Sequence, residues 1–408
     1  MWRRGAALTI AILGLLAAPA RAGQPPAAAP AAPSVIATAA TVAGDGRASS
    51  LTVALSRPVA ANVFALADPD RLVVDLPGVV FRAPPAAAGA HGLVRAYRFG
   101  QISRERARLV IDLDRPAIVT ATRTVAAAGG TASLVVEFQP ATPEQFRAAI
   151  AAQPRPALPA PPRAAAGSVG DTRPLIVLDP GHGGIDPGTH GPAGQEEKNI
   201  VLAFGKALRE RLLETGRYRV LMTRDDDSYV ALDDRVAFAR QHQARLFVSI
   251  HADSLSWPYQ SDAAVHGATI YTLSDRASDA EAARLAEEEN RSDAIAGVDL
   301  SAEPDAVAGI LIDLARRETH VFSLRFARDV AAAAAGALPL NKNPLRAAGF
   351  VVLKAPDVPS VLVELGYMSS PSDLKHLTSA EWRARAAAAM TRAINGFFAA
   401  PLVAAEGN

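Results

Sequence analysis

Three apolar runs in this chain each end on a side chain able to hold a metal or a proton, and no other feature restricts the fold as much. Leu175-Ile176-Val177-Leu178 runs through Asp179-Pro180-Gly181 into His182. Leu246-Phe247-Val248-Ser249-Ile250 delivers His251, and Val361-Leu362-Val363 delivers Glu364, followed by Leu365-Gly366. Short apolar runs rich in β-branched residues and closed by turn formers predict buried strands. Strands that present functional groups at their carboxyl ends suit an open α/β sheet, whose ligands collect outside those ends. A single histidine after a strand reads as structural. Three such endings, with Glu197 in the loop after the first, point to a metal site.

Around these strands the texture from Pro174 onward alternates strand and helix. Lys198 to Leu213 carries Ile200, Val201, Phe204, Leu208 and Leu212 on one helical face, and Gly216 stops it. Tyr218–Thr223, Ala268–Leu273, Phe350–Leu353 and Ser360–Val363 read as further strands, and Ala231–Gln241 as a helix. Long helical stretches follow at about Asp279–Asn290 and Asp305–Gly336, and Thr378-x-x-Glu381 is a capping-box signature for a last helix to about Phe398. The expectation is one α/β domain over 174–400 with a mixed, mostly parallel sheet flanked by helices.

The residues before it differ. Arg3 and Arg4 precede the apolar run Ala6 to Ala18, and Ala20-Arg21-Ala22 has the small residues of a cleavage site. This predicts a signal peptide over 1–22 and export to the periplasm. Residues 23–33 form an Ala/Pro-rich leader. Residues 34–140 carry short alternating strands, including Leu51–Leu55, Leu72–Leu76, Leu109–Leu113, Ile118–Thr122 and Leu134–Phe138. Gly, Pro and Asp punctuate them as in an all-β sandwich. A Pro/Ala-rich linker spans 141–173, with a short helix at Pro143–Ala152. The net charge of +1 and the lack of a basic stripe argue against nucleic acid. No later segment is apolar enough to span a bilayer, which argues against an integral membrane protein; a monomer is expected. With no cysteine in the chain, neither disulfides nor thiolates contribute.

His182, Glu197 and His251 are the donor types of a catalytic zinc, two imidazoles and a carboxylate with one position left open. Glu364 is the candidate acid/base, since hydrolysis of an amide needs a group that takes a proton and returns it to the leaving amine. Asp179 either orients a histidine or shapes the turn. Arg224 is a candidate contact for an acidic substrate group, and Asp225-Asp226-Asp227 solvates a loop or pairs with Arg224.

Together, Leu178-Asp179-Pro180-Gly181-His182-Gly183-Gly184, Glu197-Lys198, Ser249-Ile250-His251-Ala252-Asp253 and Val363-Glu364-Leu365-Gly366-Tyr367-Met368-Ser369 resemble the four ordered motifs of zinc-dependent N-acetylmuramoyl-L-alanine amidases of the amidase-3 class. The preceding sandwich, with Leu72-Val73-Val74-Asp75-Leu76, resembles the AMIN domain of cell-separation amidases and is expected to target the wall or septum. The resemblance implies hydrolysis of the amide between the lactyl group of N-acetylmuramic acid and L-alanine in peptidoglycan, with His182, Glu197 and His251 holding Zn2+ and Glu364 shuttling the proton. Two other readings stand beside it: a zinc carboxypeptidase acting on the same wall peptides, and a catalytically silent peptidoglycan-binding protein. The helical insertion at about 278–336 resembles the regulatory helix of divisome amidases. That implies a glutamate offered to the zinc until an activator with a degenerate LytM-like peptidase domain removes it. Glu281, in the first helical turn, is the expected blocking residue, with Glu287, Glu288 and Glu289 as alternatives.

Overall fold

The computed structural model describes residues 35–83, 91–103, 105–153, 171–254, 266–298 and 310–399. The expected signal peptide and leader, most of the Pro/Ala-rich linker, residues 255–265 and part of the insertion lie outside them.

Alternation builds the first domain. Strands β1 (Val35–Gly44), β2 (Ser49–Leu55), β3 (Asn62–Leu66), β4 (Arg71–Pro77), β5 (Val79–Phe81), β6 (Val94–Ser103), β7 (Arg106–Leu113), β8 (Ala117–Ala126) and β9 (Ala132–Pro140) form two sheets, ordered β5-β1-β2-β9-β8 and β3-β4-β7-β6. Their facing sides, among them Leu51, Val53, Leu72, Val74, Leu109, Ile111, Leu134 and Val136, make one core. This is the expected sandwich. Helix α1 (Pro143–Ala152) follows, with Thr142 and Gln145 as a reciprocal capping box, and inserts Phe146 into that core. Strands β4 and β7 are buried on both faces, although a sandwich strand normally has one wet side.

The second domain is a three-layer α/β unit, the catalytic domain of mixed sheet and flanking helices that the sequence predicts. Its elements are β10 (Leu175–Pro180), α2 (Glu197–Glu214), β11 (Arg219–Met222), α3 (Leu232–Gln241), β12 (Leu246–His251), β13 (Ala268–Leu273), α4 (Ala280–Glu289), α5 (Ser292–Ile295), α6 (Ile310–Ala334), β14 (Leu340–Ala348), β15 (Ser360–Glu364), α7 (Pro371–Leu377) and α8 (Ala380–Ala399). The sheet runs β11-β10-β12-β15-β13-β14, parallel at every pairing except β13 with β15. Period-two burial sorts its side chains. Ile176, Leu178, Val248 and Ile250 pack with residues of α2, α6 and α8 on one face, whereas Val177 and Phe247 pack with α3 and α4 on the other. From β10 the chain steps outward to β11 and returns on the opposite side as β12. The switch point of the sheet therefore lies between β10 and β12, the place where an open α/β sheet leaves a crevice for ligands.

Two local expectations are corrected. Phe350–Leu353 is not a strand; Val351–Leu353 is a 3-10 turn, and the edge strand is the polar, Pro344-containing β14. An edge position tolerates proline and needs no continuous apolar run, so periodicity hides it. Thr378 does not open the last helix either. Its hydroxyl donates to Leu374 O (2.8 Å) at the end of α7, and Ser379 accepts from Trp382 N–H to cap α8.

The turn after β10 is fastened from beneath. Asp179 is fully buried; Oδ1 accepts from Thr223 Oγ1 (2.6 Å) and Arg235 Nη1 (2.7 Å), and Oδ2 from Ser249 Oγ (2.8 Å). Arg235 also donates to Pro180 O and His182 O, both at 2.9 Å. Asp179 therefore shapes the turn and touches neither histidine ring in any recorded contact. Burial alone would raise its pKa, but Arg235 and the two hydroxyls outweigh it and hold the carboxyl below its usual value. Replacing Arg235 by Ala leaves that carboxylate buried without its cation, and we expect about 3–5 kcal/mol of destabilisation at neutral pH. Urea unfolding followed by intrinsic tryptophan fluorescence and far-UV circular dichroism measures it. Because the folded pKa is depressed, the gap between wild type and variant should shrink as pH falls through the ordinary carboxylate value and below.

Candidate metal centre

His182 leaves β10 in the left-handed region (φ +57°), an unusual conformation for a histidine that the carbonyl contacts of Arg235 hold in place. Arg224 does the same from the other side, donating to Pro180 O, Gly181 O and Lys198 O. Its guanidinium is buried and faces backbone, so it is a structural clamp and not a substrate contact. Burial and the nearby Arg235 lower its pKa to about 10. Of the three aspartates after it, Asp227 bonds Lys198 Nζ (2.9 Å) and Gly184 N–H, while the main-chain carbonyl of Asp226 accepts from Arg224.

His182, Glu197 and His251 converge. Their donor atoms lie within 4.8 Å of one another, and all three residues are buried. His182 Nε2 is 3.2 Å from Glu197 Oε2, and His251 Nδ1 is 3.3 Å from Glu197 Oε1. Glu197 opens α2 and is oriented by two backbone donors, Ala252 N–H to Oε1 (2.8 Å) and Thr189 N–H to Oε2 (3.1 Å). Gly188, at φ +67°, passes so close that a Cβ there would sit 2.6 Å from Glu197 Oε2. His182 Nε2 and His251 Nδ1 are buried with no hydrogen-bond partner, an expensive state for two imidazole nitrogens unless a cation takes their lone pairs. Burial would depress the pKa of His182, but Glu197, Asp186 and Glu289 carry it well above the usual imidazole range. This is the electrostatic signature of a pocket shaped for positive charge.

Glu364 stands beside them because the register of β12 with β15 pairs it with His251. Its Oε2 accepts from Asp253 N–H (3.0 Å), and Oε1 is buried without a partner. Burial, then the neighbouring carboxyls of Asp253, Glu197 and Glu289, push its pKa well above the usual carboxylate value. A carboxyl so placed is suited to take up and return a proton.

The structure does not bring Glu281 to this cluster. Its carboxylate lies on Arg346 Nη1 (2.7 Å) and accepts from Tyr367 OH (3.3 Å). Glu287 pairs with Arg291, and Glu288 with Arg284. Glu289 is the residue that arrives, Oε2 3.1 Å from His251 Nδ1 and Oε1 3.7 Å from His182 Nε2. The reason is helical phase. Ala282, Leu285, Ala286 and Glu289 form the buried stripe of α4, and Glu281 lies off it in the first turn. That stripe was the readable signal: a carboxylate on the apolar face of a helix is costly unless it meets a partner.

Two further residues escaped sequence reasoning. Asp186 Oδ2 is 2.9 Å from His182 Nδ1, which fixes the ring with Nε2 directed into the cluster, and also accepts from Ser292 Oγ on α5 (2.5 Å). Its spacing of four residues after His182 in a Gly-rich loop was the only hint. Asp253, two residues after His251, has a buried, unpartnered Oδ2. Beside the cluster opens a cavity of about 510 Å³ that includes His182, Thr189, Asp253 and Glu289 in its wall.

The amidase-3 description of N-acetylmuramoyl-L-alanine amidases matches residues 176–396, and the AMIN domain matches 40–138. N-acetylmuramoyl-L-alanine amidase AmiC of Escherichia coli is 32% identical over 86% of this chain and 86% of its own length. The AmiC of Neisseria meningitidis is 30% identical over 82% and 83%. The solved structure of AmiC2 of Nostoc punctiforme is 27% identical and covers 56% of this chain and 98% of its own, with a TM-score of 0.37. With both matches in order along one chain, the protein belongs to the family of N-acetylmuramoyl-L-alanine amidases that carry an AMIN domain, enzymes of peptidoglycan remodelling.

Proposed function

We propose that this amidase works with a zinc ion held by His182, Glu197 and His251, that Glu364 moves the proton, and that Glu289 holds the site shut. The observation that carries this reading is the pair of orphaned imidazole nitrogens facing one shared carboxylate. The donor set fits zinc, whose catalytic sites take two histidines and a carboxylate and leave a position open. When bound, zinc would polarise the scissile carbonyl and make water acidic enough to attack it. Glu364 Oε1, with Oε2 tied to Asp253 N–H, takes the proton from the attacking water and returns it to the departing nitrogen of L-alanine. Asp186 keeps the His182 ring turned inward while this happens.

Glu289 faces the same two nitrogens, so with zinc bound it would be a fourth protein donor where the reaction needs an open position. Its pKa is raised by burial and pulled back by His251 and His182. Removal of α4 by an activator with a degenerate LytM-like domain is the release we infer for the cell, where export to the periplasm and wall targeting by the 34–140 sandwich suit a role in daughter-cell separation. Among the described residues no helix is long and apolar enough to cross a membrane.

His182→Ala and His251→Ala should each lose zinc and activity together, read by metal content after gel filtration and by dye release from labelled wall sacculi. Glu364→Ala should keep its zinc and lose about 10²–10⁴-fold in rate. A folded Glu364→Ala protein without zinc would mean that the roles are misassigned. Glu289→Ala should raise the basal dye release of the unaccompanied protein, whereas Glu281→Ala should leave the metal cluster untouched. Full activity of the unaccompanied wild type would overturn the block.

A further inference from the structure

The outer face of the β3-β4-β7-β6 sheet does not point to solvent. On β4 the residues alternating with the core are Arg71, Val73 and Asp75; on β7 they are Arg108, Val110 and Asp112. The antiparallel register sets Arg71 opposite Asp112, Val73 opposite Val110 and Asp75 opposite Arg108. This face is covered by the segment that directly follows the blocking glutamate. Arg71 Nη1 donates to Ala294 O (2.6 Å), Arg98 Nε to Ile295 O (2.5 Å), and Arg108 Nη1 to Ala296 O (3.1 Å) and Gly297 O (2.9 Å). Three arginines from three neighbouring strands thus take four consecutive carbonyls, Ala294 to Gly297, at and just past the end of α5.

The arginines are set beforehand. Asp75 grips Arg108 through both oxygens (2.6 and 2.9 Å), and Asp112 holds Arg98 (2.6 Å). Beneath them Phe64, Leu66, Val73, Ile102 and Val110 of the sandwich share one apolar cluster with Ile185, Tyr229, Ala231 and Ala296 of the catalytic domain. Edge strand β6 also accepts Ile185 N–H at Gln101 O (3.2 Å), on the loop between His182 and Asp186. On its other side α5 is tied to the site, Ser292 Oγ donating to Asp186 and Asp293 Oδ1 accepting from Tyr229 OH and Leu232 N–H. Only Asn290 and Arg291 separate α5 from Glu289.

We propose that the AMIN sandwich is the clasp of the block: its arginine-bearing face holds α5 and, through it, Glu289, so that undocking of the sandwich from segment 292–298 opens the metal cluster. The two domains are then coupled in both directions. Whatever draws the sandwich off this segment favours the open site, and whatever opens the site weakens the docking. This inference rests on the blocking role given to Glu289, and its test separates the two.

The full chain is loaded with zinc and compared with Arg98→Ala, Gly297→Val and Glu289→Ala. Gly297 has φ +68°, and a Cβ there would lie 3.0 Å from the Cγ2 methyls of both Val73 and Val110, so valine wedges the interface from the catalytic side without altering the sandwich. Arg98 also borders the cavity, so hydrogen exchange of residues 280–298 is its primary readout and dye release from sacculi the second. Both clasp variants should speed exchange in 280–298 by about tenfold to a hundredfold, the scale of one lost charge-assisted hydrogen bond. Exchange in β2 and β9 should stay unchanged, which shows that the sandwich is still folded, and basal dye release should rise. Unchanged exchange in 280–298 for both variants overturns the clasp. Faster exchange with wild-type dye release, while Glu289→Ala is activated, also overturns it, because the block then stands without the clasp. If Glu289→Ala is not activated, the blocking role fails, and exchange alone still decides whether the sandwich holds the segment.

Discussion

The buried ion pair of Asp179 with Arg235 lies under the rest of the site. It joins the end of β10, through Thr223 and Ser249, to the ends of β11 and β12, and its guanidinium holds the carbonyls of Pro180 and His182. Together with Arg224 on the other side of the turn, it holds His182 in a left-handed conformation at the mouth of the switch-point crevice. Such a pair adds little to stability compared with a well-packed apolar substitute, so its value lies in geometry. The planar fork of Arg235 holds four separate oxygens, those of Asp179, Pro180, His182 and Val230, in a fixed geometry that a flexible lysine ammonium does not supply.

Above that pair the site is a problem in unbalanced charge. Glu197, Glu289, Glu364, Asp186 and Asp253 are all buried around two histidines. Burial, and after it the neighbouring carboxylates, raises Glu364 and Asp253, whereas at Glu197 the two imidazoles outweigh burial and draw the carboxyl down. The same cluster therefore holds one carboxylate fit to bind a cation and another fit to carry a proton. The difference arises from position: Glu197 sits between the rings, and Glu364 sits beside a second acid.

Much of this was legible in the sequence, for a physical reason. His182, His251 and Glu364 follow apolar runs, and a polar group that ends a buried strand is visible against its background. The sandwich strands Leu51–Leu55 and Leu134–Phe138 were equally plain, since one face is core and the other wet. β6 and β14 were not, because Val94–Ser103 and Leu340–Ala348 carry polar residues and lie at sheet edges. Arg71, Arg98 and Arg108 also escaped, because alternating charges on a strand read as a solvated face. Only a second domain lying across the sheet changes what that alternation means. A place in the first helical turn points to Glu281, but helical phase is the property that decides which side chain faces inward, and it selects Glu289.

The insertion that carries Glu289 occupies a particular kind of connection. β13 and β14 are parallel neighbours, so the chain must cross over between them whatever else it does. The whole stretch from Ser274 to Pro339 is that crossover, and the sheet on either side is closed by its own register. The entropy of closing such a loop grows only logarithmically, each doubling costing about 0.6 kcal/mol. Extra length in such a crossover therefore costs little in chain entropy, even though α4 and α6 within it pack Leu285 and Phe326 into the cores on the two faces of the sheet.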